Sequence, residues 1–327
     1  MPASTNQHHS HTKYLDYSNF DDLVGGGARK IPIQTPKGTF KVWVKRTGNN
    51  PRIKVLLLHG GPGATHECLE ACDSYFPTAK IEYYYYDQLG SAYSDQPNDP
   101  DLWDVARFVD EVEQVRQALK LDNSNFYLYG HSWGGVLGVE YALKYQEHLK
   151  GLIISNMMAS VPACNAYAKN VLEPQIDPAI LKQILAFEAA GDYNNPEYMK
   201  LLVPNFYEKH FCRMPYTNWP DPLLRSFSKI NQNIYVPMQG PSELGTTGKL
   251  EFWDRMADLH RITVPTLTIG ARYCTMDPAY MKAMAQNLPR GQFHYCPHGS
   301  HMTMFDDQKV YFEGLTRFLR QVDGHSS

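Results

Sequence analysis

The chain has 327 residues, of which 43% are hydrophobic and 20% charged, so it is long and apolar enough to bury a large core. Its net charge of −3, without a basic block, argues against nucleic acid as a main partner. No apolar run approaches the roughly 18 residues of a membrane span, and the polar N-terminal segment lacks the apolar centre of a signal peptide. We therefore expect a cytoplasmic protein without a membrane partner.

The first half of the chain predicts a hairpin followed by a parallel sheet. Residues 1–29 are interpreted as a flexible tail, in which His8, His9 and His11 receive no function. Segments 30–34 and 39–45 alternate between polar and apolar residues around a Pro-Lys-Gly turn, a hairpin pattern. Short apolar segments separated by helical ones then predict parallel strands with helices on both faces. These predicted strands are 54–58, 81–86, 126–129 and 151–155.

The alternation of strands and helices stops after the fourth parallel strand. Residues 158–256 are rich in Tyr, Trp, Asn and Pro and show no buried strand, whereas strands resume at 265–269 and 292–295. We interpret the insertion as a helical cap over the carboxyl ends of the strands, where ligands bind in such sheets. The core then comprises residues 30–157 and 257–323.

A serine lies at the turn between the third parallel strand and the next helix. The turn reads Gly130-His-Ser-Trp-Gly134, a G-x-S-x-G pattern in a strand–turn–helix context. Glycines at both ends permit a sharp reversal and a close approach of helix to strand. The pattern predicts Ser132 as a nucleophile; the alternative is a glycine-rich turn with an incidental serine.

A serine nucleophile requires a base and an oxyanion hole. His301, in the loop after the last strand, is the predicted base, while His294 and His298 lie on or too near that strand. The predicted oxyanion donors are the backbone N–H groups of Trp133 and of Gly61, in the loop 59–63. That loop matches neither nucleotide-binding glycine pattern.

The acidic member of a catalytic triad is less clear. The acid is expected in the loop 270–278, where Cys274 and Asp277 are the two candidates. Asp277 directly precedes Pro278 and a helical pattern, which also suits a helix N-cap.

Five motifs together resemble the prolyl iminopeptidase family of α/β-hydrolases, over about residues 30 to 323. They are His59-Gly-Gly-Pro-Gly63, Tyr86-Asp-Gln-Leu-Gly90 with Ser94-Asp-Gln-Pro97, Gly130-His-Ser-Trp-Gly-Gly135, Met238-Gln-Gly-Pro-Ser-Glu243 and Gly299-Ser-His301. The resemblance implies an α/β-hydrolase fold without a cofactor. It also implies release of an N-terminal residue, classically proline, from small peptides, amides or arylamides.

The resemblance assigns the acid to the position after Tyr273, which is Cys274 here. A neutral thiol cannot balance an imidazolium as a carboxylate does. Three explanations remain open: Cys274 acts as a neutral or thiolate third member, Asp277 substitutes for it, or the enzyme is weakened. We favour Cys274, with Asp277 as the alternative.

The resemblance also implies cap carboxylates that bind the substrate amine. Glu243 is the candidate; a solvated cap glutamate is the alternative. The second carboxylate expected slightly earlier is missing from 224–231, which puts strict proline preference in question. Tyr207, Trp219 and Tyr235 are candidates to line an apolar pocket or simply to pack.

The six cysteines are too scattered for a disulfide scaffold and predict no metal site. Cys68 and Cys72 are four residues apart, but free buried thiols are favoured over a metal pair.

Two alternatives to an aminopeptidase remain. One is an amino-acid amidase, esterase or acyltransferase, and the other is a weakened or non-catalytic hydrolase scaffold.

Overall fold

The computed structural model describes residues 27–324, in which eight strands form one sheet of order β1-β2-β4-β3-β5-β6-β7-β8. The strands are β1 (Ala28–Thr35), β2 (Gly38–Thr47), β3 (Lys54–Leu58), β4 (Glu82–Asp87), β5 (Phe126–His131), β6 (Gly151–Ser155), β7 (Thr266–Ala271) and β8 (Gly291–Cys296). All eight correspond to strands predicted from the sequence, with ends that differ by at most a few residues.

Helices cover the sheet and fill the long insertion. The α-helices are α1 (Val105–Ala118), α2 (Trp133–Tyr145), α3 (Val161–Tyr167), α4 (Pro178–Ala189), α5 (Pro196–Leu202), α6 (Asp221–Ser228), α7 (Gln232–Met238), α8 (Pro278–Asn287), α9 (Thr303–Asp306) and α10 (Gln308–Val322). A 3₁₀ helix spans His66–Ser74, and a π-helix spans Val203–Phe211. No described helix is both long enough and apolar enough to cross a membrane.

The sheet is antiparallel at one edge and parallel elsewhere. Strand β2 pairs antiparallel with both β1 and β4, and every pair from β4 to β8 is parallel. The hairpin turn uses Gly38 at a φ of 118°, a conformation that favours glycine. Because the parallel strands share one direction, all their carboxyl ends meet at one edge, where the loops gather.

Burial explains why the central strands read as continuous apolar runs. Every residue of β5 and β6 is buried, as expected for parallel strands covered on both faces. Helix α1 begins at Val105 because the Asp104 carboxylate caps it, accepting from two backbone amides. Its apolar stripe then packs against the core, with Phe108, Val112 and Val115 almost wholly buried.

Helices α3 to α7 lie between β6 and β7, within the segment predicted as a cap. Within this described insertion the only strand-like pairing is the bridge between Ser160 and Asp254. The cap boundaries at 158 and 256 stay a prediction. Most of the predicted tail, including His8, His9 and His11, lies outside the described residues, and β1 begins at Ala28.

Candidate active site

Ser132 occupies a strained turn between β5 and α2. Its φ and ψ are 54° and −124°, a conformation that a residue other than glycine rarely adopts. The flanking glycines are required by close packing, since a Cβ on Gly130 would overlap the carbonyl of Gly134. A Cβ on Gly134 would overlap the carbonyl oxygen of Leu58. The geometry is that of a nucleophile elbow.

The loop after β3 approaches this elbow closely. A Cβ added to Gly60 would lie only 3.2 Å from the Cβ of Ser132. Gly61 follows at a φ of 111° and, with Gly60 and Ser132, lines one cavity. Trp133 is the first residue of α2, where a backbone N–H has no acceptor within the helix. Gly61 thus lines the same cavity as Ser132, and Trp133 directly follows Ser132 in the chain. Their roles as oxyanion donors stay a prediction.

Gln88 joins the two predicted oxyanion elements, a role that sequence reasoning missed. Its Oε1 accepts a 2.8 Å hydrogen bond from Trp133 Nε1, and its Nε2 donates to the His59 carbonyl at 3.2 Å. The backbone N–H of Gln88 also donates to His59 Nε2 at 3.2 Å. Gln88 belongs to one of the five motifs, but its bridging position depends on how the loops after β3, β4 and β5 meet.

His301 lines the same cavity as Ser132 and is held by the cap. Its backbone N–H donates to the His210 carbonyl at 2.9 Å, and the Met302 N–H donates to the Phe211 carbonyl at 2.7 Å. The Phe211 ring stacks on the imidazole with centroids 5.6 Å apart. Burial lowers the pKa of His301 to about 3, so the imidazole is neutral and able to accept a proton.

Cys274 lies at the position expected for the triad acid. Its Sγ is 3.4 Å from His301 Nδ1, and Asn156 Nδ2 donates to the same sulfur at 3.2 Å. Burial raises the pKa of the Cys274 thiol to about 12, although nearby hydrogen-bond donors oppose this rise. The sulfur is therefore a neutral thiol, and the thiolate alternative is disfavoured.

Asp277 is placed at the start of α8. Its Oδ1 accepts a 2.8 Å hydrogen bond from the backbone N–H of Ala279, in the standard manner of an N-cap. No hydrogen bond joins Asp277 to His301 within the described part of the chain. The geometry therefore favours the capping role over substitution for the acid.

Thr275 is a contact of His301 that the sequence reasoning overlooked. Its Oγ1 lies 3.0 Å from His301 Nδ1, closer than the Cys274 sulfur. Its position next to Cys274 is the only sequence signal, and a hydroxyl does not resemble a triad acid.

Glu243 lies in the same cavity as Ser132 and His301. The Tyr235 hydroxyl donates a 2.7 Å hydrogen bond to Glu243 Oε1, and burial raises the pKa of the carboxyl. Among the described residues that line the cavity, it is the one carboxylate. Glu243 is half-buried and faces the cavity, which favours a cavity-lining role over a solvated one. Its role in binding the substrate amine stays a prediction.

The predicted cap aromatics divide between the cavity and its surroundings. Tyr235 lines the cavity, Tyr207 lines a neighbouring cap pocket, and Trp219 packs against Phe211 and Phe227. The cavity measures only about 40 Å³, little more than the volume of one water. The cavity shares Phe227, Ile230 and Tyr235 with the larger cap pocket, of about 710 Å³.

The cysteines fit the interpretation as buried thiols. All six are free and buried, and Cys68 lines the cavity with a pKa that burial raises to about 12. Among the described residues, no group of three His, Cys, Asp or Glu side chains is arranged to hold a metal ion.

Comparison with known proteins identifies the family. The family model of the alpha/beta hydrolase fold matches residues 54–308. A proline iminopeptidase of Chitinophaga pinensis is 56% identical over 91% of this chain and 99% of its own length. One of Flavobacterium johnsoniae is 55% identical over 90% of this chain and 98% of its own.

A solved structure agrees with these relatives. The crystal structure of a proline iminopeptidase of Mycobacterium smegmatis aligns with a TM-score of 0.80 at 27% identity. The alignment covers 92% of this chain and all of that one, 100%. The fold, the matched family model and the identity to these relatives agree. The chain therefore belongs to the proline iminopeptidase family of α/β-hydrolases.

Proposed function

We propose that the protein is a serine aminopeptidase that releases an N-terminal residue, preferably proline, from small peptides, amides or arylamides. One observation carries the proposal: Ser132, His301 and Glu243 all line one buried cavity. The candidate nucleophile, the neutral candidate base and a half-buried carboxyl group therefore share one cavity, which supports a role for all three with one small substrate. The names of the relatives supply the preference for proline.

The arrangement supports a two-step reaction through an acyl-enzyme. Glu243 binds the protonated amine of the substrate and so places its first carbonyl beside Ser132. His301 takes the proton of the Ser132 hydroxyl as the oxygen attacks, and the N–H groups of Gly61 and Trp133 stabilise the oxyanion. His301 then protonates the leaving amine, and water repeats the sequence to release the amino acid.

The cavity walls suit a small apolar side chain. Leu223, Phe227 and Ile230 lie beside the cavity, and Tyr235 closes it next to Glu243. A compact proline ring has apolar side chains to contact where this cavity meets the larger cap pocket. A cytoplasmic location stays a prediction.

A second candidate is an amidase, esterase or acyltransferase, and the neutral Cys274 at the acid position favours it. Because no carboxylate balances the imidazolium, substrates with good leaving groups are favoured over peptides. A bound amine also competes better with water for the acyl-enzyme, which favours acyl transfer.

A substrate panel tests both candidates. Aminoacyl arylamides of proline, alanine and leucine, proline amide, a Pro-Gly dipeptide and a proline ester are compared, with Ser132→Ala as the control. The proposal expects proline substrates to be cleaved fastest and the dipeptide to be hydrolysed. Cleavage of esters alone, or product trapped mainly by an added amine, would support the second candidate instead.

A further inference from the structure

Two side chains contact Nδ1 of His301, and the nearer one is a hydroxyl. Thr275 Oγ1 is 3.0 Å away, a normal N–H···O distance, whereas Cys274 Sγ is 3.4 Å away. A neutral thiol is also the weaker acceptor. We propose that the Thr275 hydroxyl accepts the Nδ1–H bond that holds His301 in the tautomer able to take a proton from Ser132.

The loop that carries Thr275 is fixed to the loop that carries His301. The backbone N–H of Tyr273 donates to the Gly299 carbonyl at 3.0 Å, and His210 Nδ1 bonds the Tyr273 carbonyl at 2.9 Å. Thr275 itself is only 4% exposed. Its hydroxyl is therefore shielded from water and has little freedom to leave the imidazole.

The Cys274 sulfur is the neighbour to which the hydroxyl can direct its own proton. An interaction with the Thr275 side chain opposes the rise in the pKa of the Cys274 thiol, and Asn156 Nδ2 donates to the same sulfur at 3.2 Å. With Nδ1–H of His301 donating to Thr275 Oγ1 and the Thr275 hydroxyl donating to Cys274 Sγ, each of these groups has a hydrogen-bond partner. Cys274 then remains a second, more distant contact of the same nitrogen, at 3.4 Å.

The role of Thr275 is to position His301, not to exchange protons with it. When Ser132 attacks, its proton moves to His301 Nε2, while the proton on Nδ1 stays in place and is shared with Thr275. Thr275 stays neutral, so it selects the tautomer without balancing the imidazolium charge. This inference rests on the proposed roles of Ser132 and His301.

The surroundings of His301 support a neutral partner. The titratable groups that face its ring are Cys274 and His131, whose ring centroid is 4.9 Å away. Burial, and then the nearness of His301, keeps the pKa of His131 well below its ordinary value, so that ring is neutral too. Within residues 27–324, no carboxylate is hydrogen-bonded to Nδ1 of His301.

The test compares Thr275→Val, Thr275→Ser and Cys274→Ala, with folding checked by thermal melting. The readouts are kcat and KM for a proline arylamide and the rate at which a fluorophosphonate labels Ser132. We expect Thr275→Val to lower kcat and the labelling rate about 10- to 100-fold at nearly constant KM, because Nδ1–H loses a buried acceptor. Thr275→Ser should keep both rates within about threefold, and Cys274→Ala should lose less than Thr275→Val.

A second background separates positioning from structure. In Cys274→Asp, the new carboxylate can accept from Nδ1, so adding Thr275→Val should cost less than about threefold. Nitrogen-15 NMR of labelled histidine should show that the proton of the neutral His301 ring is on Nδ1 in the wild type. The signal of this Nδ1–H should shift in Thr275→Val. His301→Gln assigns that signal.

Several results would overturn the inference. One is a kcat of Thr275→Val equal to that of the wild type, and another is a larger loss of kcat in Cys274→Ala than in Thr275→Val. The others are a kcat of Thr275→Ser as low as that of Thr275→Val, or the same fold-loss from Thr275→Val in the Cys274→Asp background as in the wild type. Labelling of Ser132 without cleavage of proline substrates would refute the proposed function alone. A wild type that does not react with the fluorophosphonate would refute both.

Discussion

The Sγ atom of Cys274 lies 3.4 Å from Nδ1 of His301, at the place where a carboxylate would complete a catalytic triad. Asn156 Nδ2 donates to this sulfur at 3.2 Å, and the nearby backbone N–H of Met276 opposes the rise in the pKa of the thiol. Such donors stabilise an anion better than a neutral thiol. The donors near Cys274 Sγ would therefore stabilise an anion at this position, but the neutral thiol carries no negative charge.

Replacing the thiol by a carboxylate should strengthen the enzyme. We expect Cys274→Asp to raise kcat for a proline arylamide by about 10- to 1000-fold, since loss of a triad carboxylate costs about 10⁴ in a serine protease. Cys274→Ser, of similar size but neutral, is the matched control and should show no such gain. Unchanged or lower rates in Cys274→Asp would contradict the assignment of this position.

Glu243 should govern binding of the substrate amine. Removing its charge in Glu243→Gln should lower kcat/KM for a proline arylamide about 10- to 100-fold, the value of one charge-assisted hydrogen bond. Tyr235→Phe, which removes only the neighbouring donor, should have a smaller effect. p-Nitrophenyl acetate has no amine, so its hydrolysis by Glu243→Gln should match the wild type; an equal loss on both substrates would refute amine binding.

The acidic limb of the pH profile should belong to Glu243 rather than to His301. Burial raises the pKa of Glu243 above its ordinary value of 4.5 and lowers the pKa of His301 to about 3. Because both groups act in the deprotonated form, activity is present above their pKa values, and Glu243 is the first to protonate as the pH falls. The groups facing Glu243 are Tyr235 and Tyr207, and those facing His301 are Cys274 and His131.

The measurement is kcat/KM against pH for the arylamide and for p-nitrophenyl acetate. The arylamide should lose activity through a pKa above 4.5, whereas the acetate ester should retain activity to lower pH. A common acidic limb for both substrates would assign it to the base instead.

An ion-pair cluster should hold the cap against the core. Arg225 of α6 contacts Glu67 at 2.5 Å and Glu70 at 2.6 Å, and Lys229 contacts Glu67 at 2.7 Å. The Glu67 side chain is only 2% exposed, so losing these partners leaves a buried carboxylate poorly satisfied. We expect the double variant Arg225→Met, Lys229→Met to lower the free energy of unfolding by about 1–3 kcal/mol. It should also speed hydrogen exchange in α6.

The matched control is Lys200→Met. Lys200 pairs with Glu197 at 2.6 Å, but both side chains are largely exposed, and such pairs contribute little. Urea denaturation and hydrogen exchange read out both variants. Equal stability of the double variant and the control would show that the cluster does not hold the cap.

The strands and the elbow were predictable because their signals are local. Gly130 and Gly134 reflect close packing within one turn, and the apolar strands reflect burial on both faces of the sheet. The contact of Thr275 with His301 was not predictable, because it depends on two loops joined by the bond between Tyr273 and Gly299.

Two other contacts at the site also depend on how distant parts of the chain pack together. Gln88 bridges three loops, and Glu243 reaches the cavity only because the cap folds over it. The resemblance to a family selected Glu243, whereas no periodicity in the sequence indicated its hydrogen bond with Tyr235.

The most direct test of the proposed acyl-enzyme is to trap it. The protein is mixed with a proline ester, quenched in acid and digested, and the modified peptide is identified by mass spectrometry, with Ser132→Ala as the control. We predict one prolyl group on Ser132 in the wild type and none in the variant. Turnover without an adduct, or a prolyl group on Cys68 or Cys274, would contradict Ser132 as the nucleophile.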